Sequence, residues 1–130
     1  MKIALYALLF LVILCPCALA TYQRPDIVIY DGIVYGIHWR FPLEALRESG
    51  KKIAFFEIER MTHATNCHRG YVGIWEIRDD ALFLKGIMGW HGDRRADLKT
   101  LFPKKYKDGG VKAEWFSGKL ELHVESWRDN

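Results

Sequence analysis

The chain has 130 residues with a formal net charge of +3, and half of its residues are hydrophobic. This length suits one domain with one core, and the mild positive charge does not indicate binding to nucleic acid. Basic residues do cluster at 94–95 and 104–107, but acids are interleaved with them, which is typical of a solvated loop. We therefore expect no nucleic-acid partner.

The N-terminal segment has the layout of a secretory signal peptide. Lys2 precedes the apolar run 3–14, and Ala18 and Ala20 supply the small side chains of a cleavage site. We expect cleavage after Ala20 and a secreted or periplasmic location. One alternative stays open, because residues 3–20 are barely long enough to be an uncleaved membrane anchor. Only in that case do we expect contact with a membrane.

Cleavage after residue 20 leaves about 110 residues, which we interpret as a single β-rich domain, 21–130. Cys15 and Cys17 are removed with the signal peptide, so Cys67 is the one cysteine of the mature chain. A lone cysteine in an exported protein is either buried as a small hydrophobe or free to react or to pair between chains. We favour burial.

The mature chain begins with a hairpin pattern. Two runs of β-branched and aromatic residues, 27–30 and 33–37, flank Asp31-Gly32, and this dipeptide favours the type I′ turn of paired strands. A short helix is predicted over 42–48, because proline suits its first turn and Gly50 its end. A further strand is predicted over 53–59.

A second hairpin is predicted from two longer runs, 71–78 and 81–88, joined by Asp79-Asp80. Within the first run, Tyr71 and Trp75 alternate with residues of the opposite face at period 2. Both faces are largely apolar, which indicates a central strand.

A third hairpin is predicted to join 111–116 to 119–125 through a Ser-Gly turn. In its return strand, Leu120, Leu122 and Val124 alternate with polar residues, which is typical of a strand covered on one face. A helical turn is predicted over 95–102. These elements predict a mainly β fold, either an antiparallel rolled sheet or a partly open barrel of six to seven strands with one or two short helices.

Several motifs also occur in an order and spacing that resemble a family of small uncharacterised bacterial proteins. They include an RGYVxxWEI strand beginning at Arg69 and a WFSG turn beginning at Trp115. The others are Asp26–Gly32, Pro42–Glu44, Thr65–Cys67, Leu82–Leu84 and Leu101–Pro103. This chain departs from the family by its signal peptide and by ending soon after Leu122. The resemblance implies a compact β-rich domain and carries no known activity.

The segment 62–70 is the richest in reactive side chains, with His63, Cys67 and His68. In an extended strand His63 and Cys67 would lie ~13 Å apart, too far to share a metal ion whose ligands lie at ~2.0–2.3 Å. A turn or a helix in this segment, or a contribution from His38 or His91, would be needed to complete a metal site or a Cys–His nucleophile pair. A small hydrolase or a metal-binding protein is therefore the alternative interpretation, and we expect no cofactor.

Arg69 and Tyr71 lie where a strand begins. Arg69 either pairs with Glu57, Glu59 or Glu76 at the rim of the sheet or projects as a clamp for a carboxylate or another anion. We favour the pairing and retain Arg69 and Tyr71 as candidate binding residues.

The tryptophans supply the remaining candidate site. Trp75 and Trp115 are predicted in strands of the core, whereas Trp39, Trp90 and Trp127 lie at strand ends or in loops beside histidine or arginine. Amphipathic aromatics beside arginine are typical of interfaces. The sequence therefore predicts a recognition module that binds another protein or a sugar ring, and an inhibitor or immunity-type role fits its size.

Overall fold

The computed structural model of the protein describes residues 23–50, 67–89 and 94–125. These residues form one mixed sheet of seven strands with two short helices, and the sheet is not closed into a barrel. The prediction of a small, mainly β domain is therefore confirmed. The signal-peptide segment and the strand predicted over 53–59 lie outside the described residues.

The strands and helices are β1 Asp26–Tyr30, β2 Ile33–Ile37, α1 Pro42–Glu48, β3 Tyr71–Arg78, β4 Ala81–Gly89, α2 Leu98–Leu101, β5 Tyr106–Lys107, β6 Gly110–Lys112 and β7 His123–Val124. Their order across the sheet is β5-β6-β4-β3-β1-β2-β7. β3 lies at the centre, as predicted for a strand that is apolar on both faces.

The first two predicted hairpins are confirmed, and their turns have the backbone that the sequence requires. Asp31 and Gly32 have φ values of 51° and 74°, and Asp79 and Asp80 have φ values of 51° and 56°. Two consecutive residues with positive φ are the signature of a type I′ turn, whose twist matches that of paired strands.

The sheet contains one parallel pair, between β1 and β3. A parallel pair needs a crossover rather than a tight turn, and the chain between β2 and β3 includes α1. The helix has the bounds that the sequence predicts, with Pro42 in its first turn. It buries Leu43 and Leu46 in the core, so it covers one face of the sheet.

The core is formed by that covered face. Val28, Tyr71, Trp75 and Leu84 are buried there with the residues of α1. Trp115 also packs against this core, but it lies in a turn rather than in the predicted strand. Its ring stacks on Phe102 with centroids 5.8 Å apart, and its indole N–H donates to the Pro42 carbonyl at 2.8 Å.

The third predicted hairpin is wrong. β6 pairs with β4 and β5, whereas β7 pairs with β2. The turn that precedes β6 is Asp108-Gly109, with φ values of 52° and 78°, and the chain leaves the sheet at Ala113 through a turn closed by Phe116 N–H donating to the Ala113 carbonyl. Val124, predicted to face the core, is 74% exposed.

Neither α1 nor α2 is long and apolar enough to cross a membrane, and no other helix among the described residues is.

Candidate functional site

Arg69 lies in the interior rather than at the rim of the sheet. It is 7% exposed, and its guanidinium donates to Asp26, which is fully buried, at 2.8 Å. The guanidinium carbon lies 3.8 Å from the centroid of the Phe41 ring, a cation–π contact. Glu76, one of the three predicted partners, contacts Arg78 instead at 3.4 Å.

The Asp26 carboxylate accepts two further hydrogen bonds. They come from the Gly73 backbone N–H at 2.9 Å and from the Trp75 indole N–H at 3.0 Å. Burial raises the pKa of Asp26, while the positive charge of Arg69 and the donated hydrogen bonds act in the opposite direction. A Cβ atom at Gly73 would lie 2.7 Å from Asp26 Oδ2, so glycine is required for this approach. The cluster ties β1 to β3 and has the features of a structural site.

Tyr71 is fully buried as well. Its hydroxyl donates to Glu44 Oε1 of α1 at 2.9 Å, and burial raises the pKa of the Tyr71 phenol. The Glu44 carboxylate also pairs with Arg47 at 3.0 Å. Tyr71 thus joins the sheet to the helix, and its phenol is not presented to a partner.

The Cys67 thiol is buried, as we favoured from the sequence, and its Sγ donates to the Tyr71 carbonyl at 3.3 Å. Burial raises the pKa of the Cys67 thiol, which disfavours the reactive thiolate. His68 is exposed, and its backbone N–H donates to the Gln23 side chain at 2.9 Å. His63 and His91 lie outside the described residues, so their part in a reactive or metal site stays a prediction.

The described residues 23–50, 67–89 and 94–125 contain no group of three His, Cys, Asp or Glu side chains that could hold a metal ion.

Trp39 is the predicted recognition residue that the structure places at the surface. It follows β2, is 50% exposed, and makes an edge contact with His123 of β7 at a centroid distance of 5.3 Å. His123 in turn contacts the ring of His38 edge-on at 5.1 Å. Together with Gln23 these side chains line an open depression of about 450 Å³. Trp90 and Trp127 lie outside the described residues.

A contact between His38 and Glu125 fixes the shape of this depression. His38 Nε2 and Glu125 Oε1 are 2.6 Å apart, with both side chains largely buried. Gly36 makes this contact possible, because a Cβ atom there would overlap the Glu125 carboxylate. The bond fixes the end of β2 against β7, so the rings of His38, His123 and Trp39 form a preorganised surface rather than three independent side chains.

Exposed apolar side chains extend this surface along the neighbouring strands. All the large hydrophobic side chains that are exposed in the described part of the chain lie on β1, β2 and β7 or just after β2. We call this set the apolar edge; it consists of Ile29, Tyr30, Ile33, Val34, Trp39 and Val124. These three strands are consecutive at one end of the sheet, so the side chains of the apolar edge gather there on both of its faces. By the strand register, Ile29 and Val34 lie on one face, and Tyr30, Ile33 and Val124 lie on the other.

A groove adjoins the tip of the β1–β2 hairpin. Its volume is about 600 Å³, and Tyr30, Ile77, Leu82, Phe116 and Leu120 supply its apolar lining. Tyr30 therefore belongs both to the apolar edge and to the wall of the groove. A partner can reach the hairpin tip from either of these two surfaces.

The His38–Glu125 pair could not be found from the sequence, since 87 positions separate the two residues. Two signals were available in the sequence. Trp39 stands between His38 and Arg40, and His123 lies within the alternating segment 119–125. Both are local, and neither indicates that β7 pairs with β2.

Comparison with known protein families, with curated proteins and with solved structures found no match. The resemblance to a family of small bacterial proteins stays a prediction, and the site is argued from its own geometry.

Proposed function

We propose that the protein is an exported, non-enzymatic recognition module that binds another protein through its apolar edge. The observation that carries this proposal is the gathering of the exposed hydrophobic side chains on β1, β2 and β7. Exposed apolar side chains that gather in one region of a soluble protein often mark a site of protein–protein interaction.

The chemistry of the apolar edge favours a protein partner over a sugar. Trp39 is a half-exposed indole held by ring contacts, and rigid aromatics of this kind are the residue type that dominates binding energy at interfaces. Apart from Tyr30, the other side chains of the apolar edge are aliphatic, including Val34 and Val124. Aliphatic groups bury well against another protein, whereas they offer no hydrogen bond to the hydroxyls of a sugar.

Differential capture tests the proposal. The bait is the mature chain, Thr21 to Asn130, immobilised and exposed to the medium and cell-envelope extract of its source. The test variant carries Trp39→Ala and Val124→Thr, and the control carries Arg95→Ala, which changes an exposed side chain beside β4, on the far side of β3 from the apolar edge.

We expect wild type and the Arg95→Ala control to retain the same protein in near-stoichiometric amount, and the double variant to retain at least ~10-fold less. Equal recovery by all three baits would contradict the proposal, provided that thermal unfolding shows the double variant to be folded.

The export step is tested separately. We expect N-terminal sequencing of the protein purified from its source to begin at Thr21. A chain that begins at Met1 and fractionates with membranes would instead establish residues 3–20 as an anchor.

An inhibitor or immunity-type role is the form of recognition that fits a domain of this size. If the captured partner is an enzyme or a toxin, adding the wild-type protein in equimolar amount should suppress its activity. The Trp39→Ala/Val124→Thr variant should leave that activity intact.

A further inference from the structure

A second surface, at the opposite end of the sheet, differs in its chemistry from the apolar edge. It is a depression of about 540 Å³ between the β3–β4 turn and the β5–β6 turn. Basic side chains from three stretches of the chain converge on it, namely Arg78, Lys104, Lys105, Lys107 and Lys112. We call it the basic depression. It is centred on β6, about 24 Å from β7 at ~4.8 Å per strand spacing.

The sequence gives no hint of this convergence. Residues 104–107 read as a loop with interleaved acids, whereas the fold brings Arg78 from the end of β3 and Lys112 from β6 beside them. Lys112 pairs directly with Phe83 across the β4–β6 ladder, so its position is set by the sheet.

Positive charge is in excess in the basic depression, whose lining holds five basic side chains and three carboxylates. Arg78 contacts Glu76 at 3.4 Å and lies over the ring of Phe83 at 4.5 Å. By contrast, in the described part of the chain Lys104, Lys105, Lys107 and Lys112 make no ion pair, and all four are exposed. Four ammonium groups around one concavity create a local positive potential that a negatively charged partner would relieve.

We propose that the basic depression binds an acidic segment of a partner protein. Three carboxylates, those of Asp79, Asp108 and Glu114, also line it. A uniform polyanion such as a phosphate polymer or an anionic bilayer would bring its charges against these carboxylates at a repulsive cost. A peptide with spaced Asp or Glu residues can match the lysines and avoid the acids. Phe83 and Gly110 complete the lining.

This inference does not rest on the apolar edge, because the two surfaces share no residue. The test uses the mature chain and a fluorescein-labelled peptide of twelve residues in which glutamate alternates with serine. At an ionic strength near 0.15 M we expect a Kd on the order of 100 μM or below, and progressive weakening as salt is added.

A matched pair of triple variants separates the depression from net charge. Lys104→Gln, Lys105→Gln and Lys107→Gln together should weaken peptide binding at least ~10-fold. The control triple, Arg40→Gln, Arg95→Gln and Lys119→Gln, removes the same charge from exposed positions outside the depression. We expect it to change the affinity by no more than about twofold.

Three outcomes would overturn the proposal. They are no measurable binding of the peptide by wild type, an equal loss in both triple variants, and tighter binding of inorganic polyphosphate or of phosphatidylglycerol vesicles than of the peptide. The last would replace the acidic segment with a uniform polyanion as the occupant.

Discussion

At the level of single residues, the Asp26 carboxylate joins two strands that are far apart in the sequence. It accepts hydrogen bonds from Arg69, Gly73 and Trp75, so its burial is matched by donors on three sides. From the sequence, Asp26 is a charged residue where a strand begins, and Trp75 is a tryptophan in a core strand. It does not show that they meet, because parallel pairing of β1 with β3 is a property of the fold.

Replacing Asp26 by asparagine is expected to destabilise the protein by about 3–5 kcal/mol, because the Arg69 guanidinium would stay buried without its counter-ion. Chemical denaturation followed by tryptophan fluorescence measures the change. The double variant Asp26→Asn/Arg69→Met removes both charges and should recover a substantial part of the loss. Additive losses in the double variant would show that the pair is not coupled.

Cys67 carries a prediction about reactivity. Because burial raises the pKa of its thiol above the ordinary 9.0, we expect the folded mature chain to react with iodoacetamide far more slowly than the denatured chain at pH 8. Since the thiolate is the reactive form, the rate of the folded protein should go on rising with pH beyond 9.0 instead of levelling off there. Rapid alkylation of the folded protein at pH 7 would support a reactive cysteine instead.

At the level of elements, local signals explain what the sequence could predict. The two long hairpins and α1 were predictable because turn dipeptides and a proline act over four or five residues. The same Asp-Gly signal stands at Asp108-Gly109, but its strands have two and three residues. Strands this short show no alternation, whereas the longer alternating stretch 119–125 contributes only His123–Val124 to the sheet.

Two glycines, one in a turn and one within a strand, permit a paired test of the assigned turn. Gly32 has φ +74° and open space around its Cβ position, so Gly32→Ala should cost about 1–2 kcal/mol through backbone strain alone. Gly86 lies within β4, and its Cβ would meet Ile74 at an ordinary 3.5 Å. We expect Gly86→Ala to be neutral or to stabilise by up to ~1 kcal/mol. Thermal unfolding compares the two variants, and the opposite ranking would contradict the assigned turn.

At the level of the whole molecule, the sheet separates two kinds of surface. Exposed apolar side chains lie on β1, β2 and β7, and the basic depression lies between the turns that flank β4 and β6. The sequence could predict Trp39 as a recognition residue because tryptophan beside polar residues at a strand end is a local pattern. It could not predict the apolar edge, since β7 joins β2 from the other end of the chain.

The most direct test of the recognition function is the affinity of the captured partner for three forms of the mature chain. Isothermal titration would compare wild type, Trp39→Ala and Arg95→Ala. Because Trp39 is half exposed and preorganised by His123, we predict that Trp39→Ala loses at least ~2 kcal/mol of binding free energy, about 30-fold in Kd, while Arg95→Ala binds like wild type. Equal affinities for all three would show that the partner binds elsewhere and would contradict the assignment of the apolar edge.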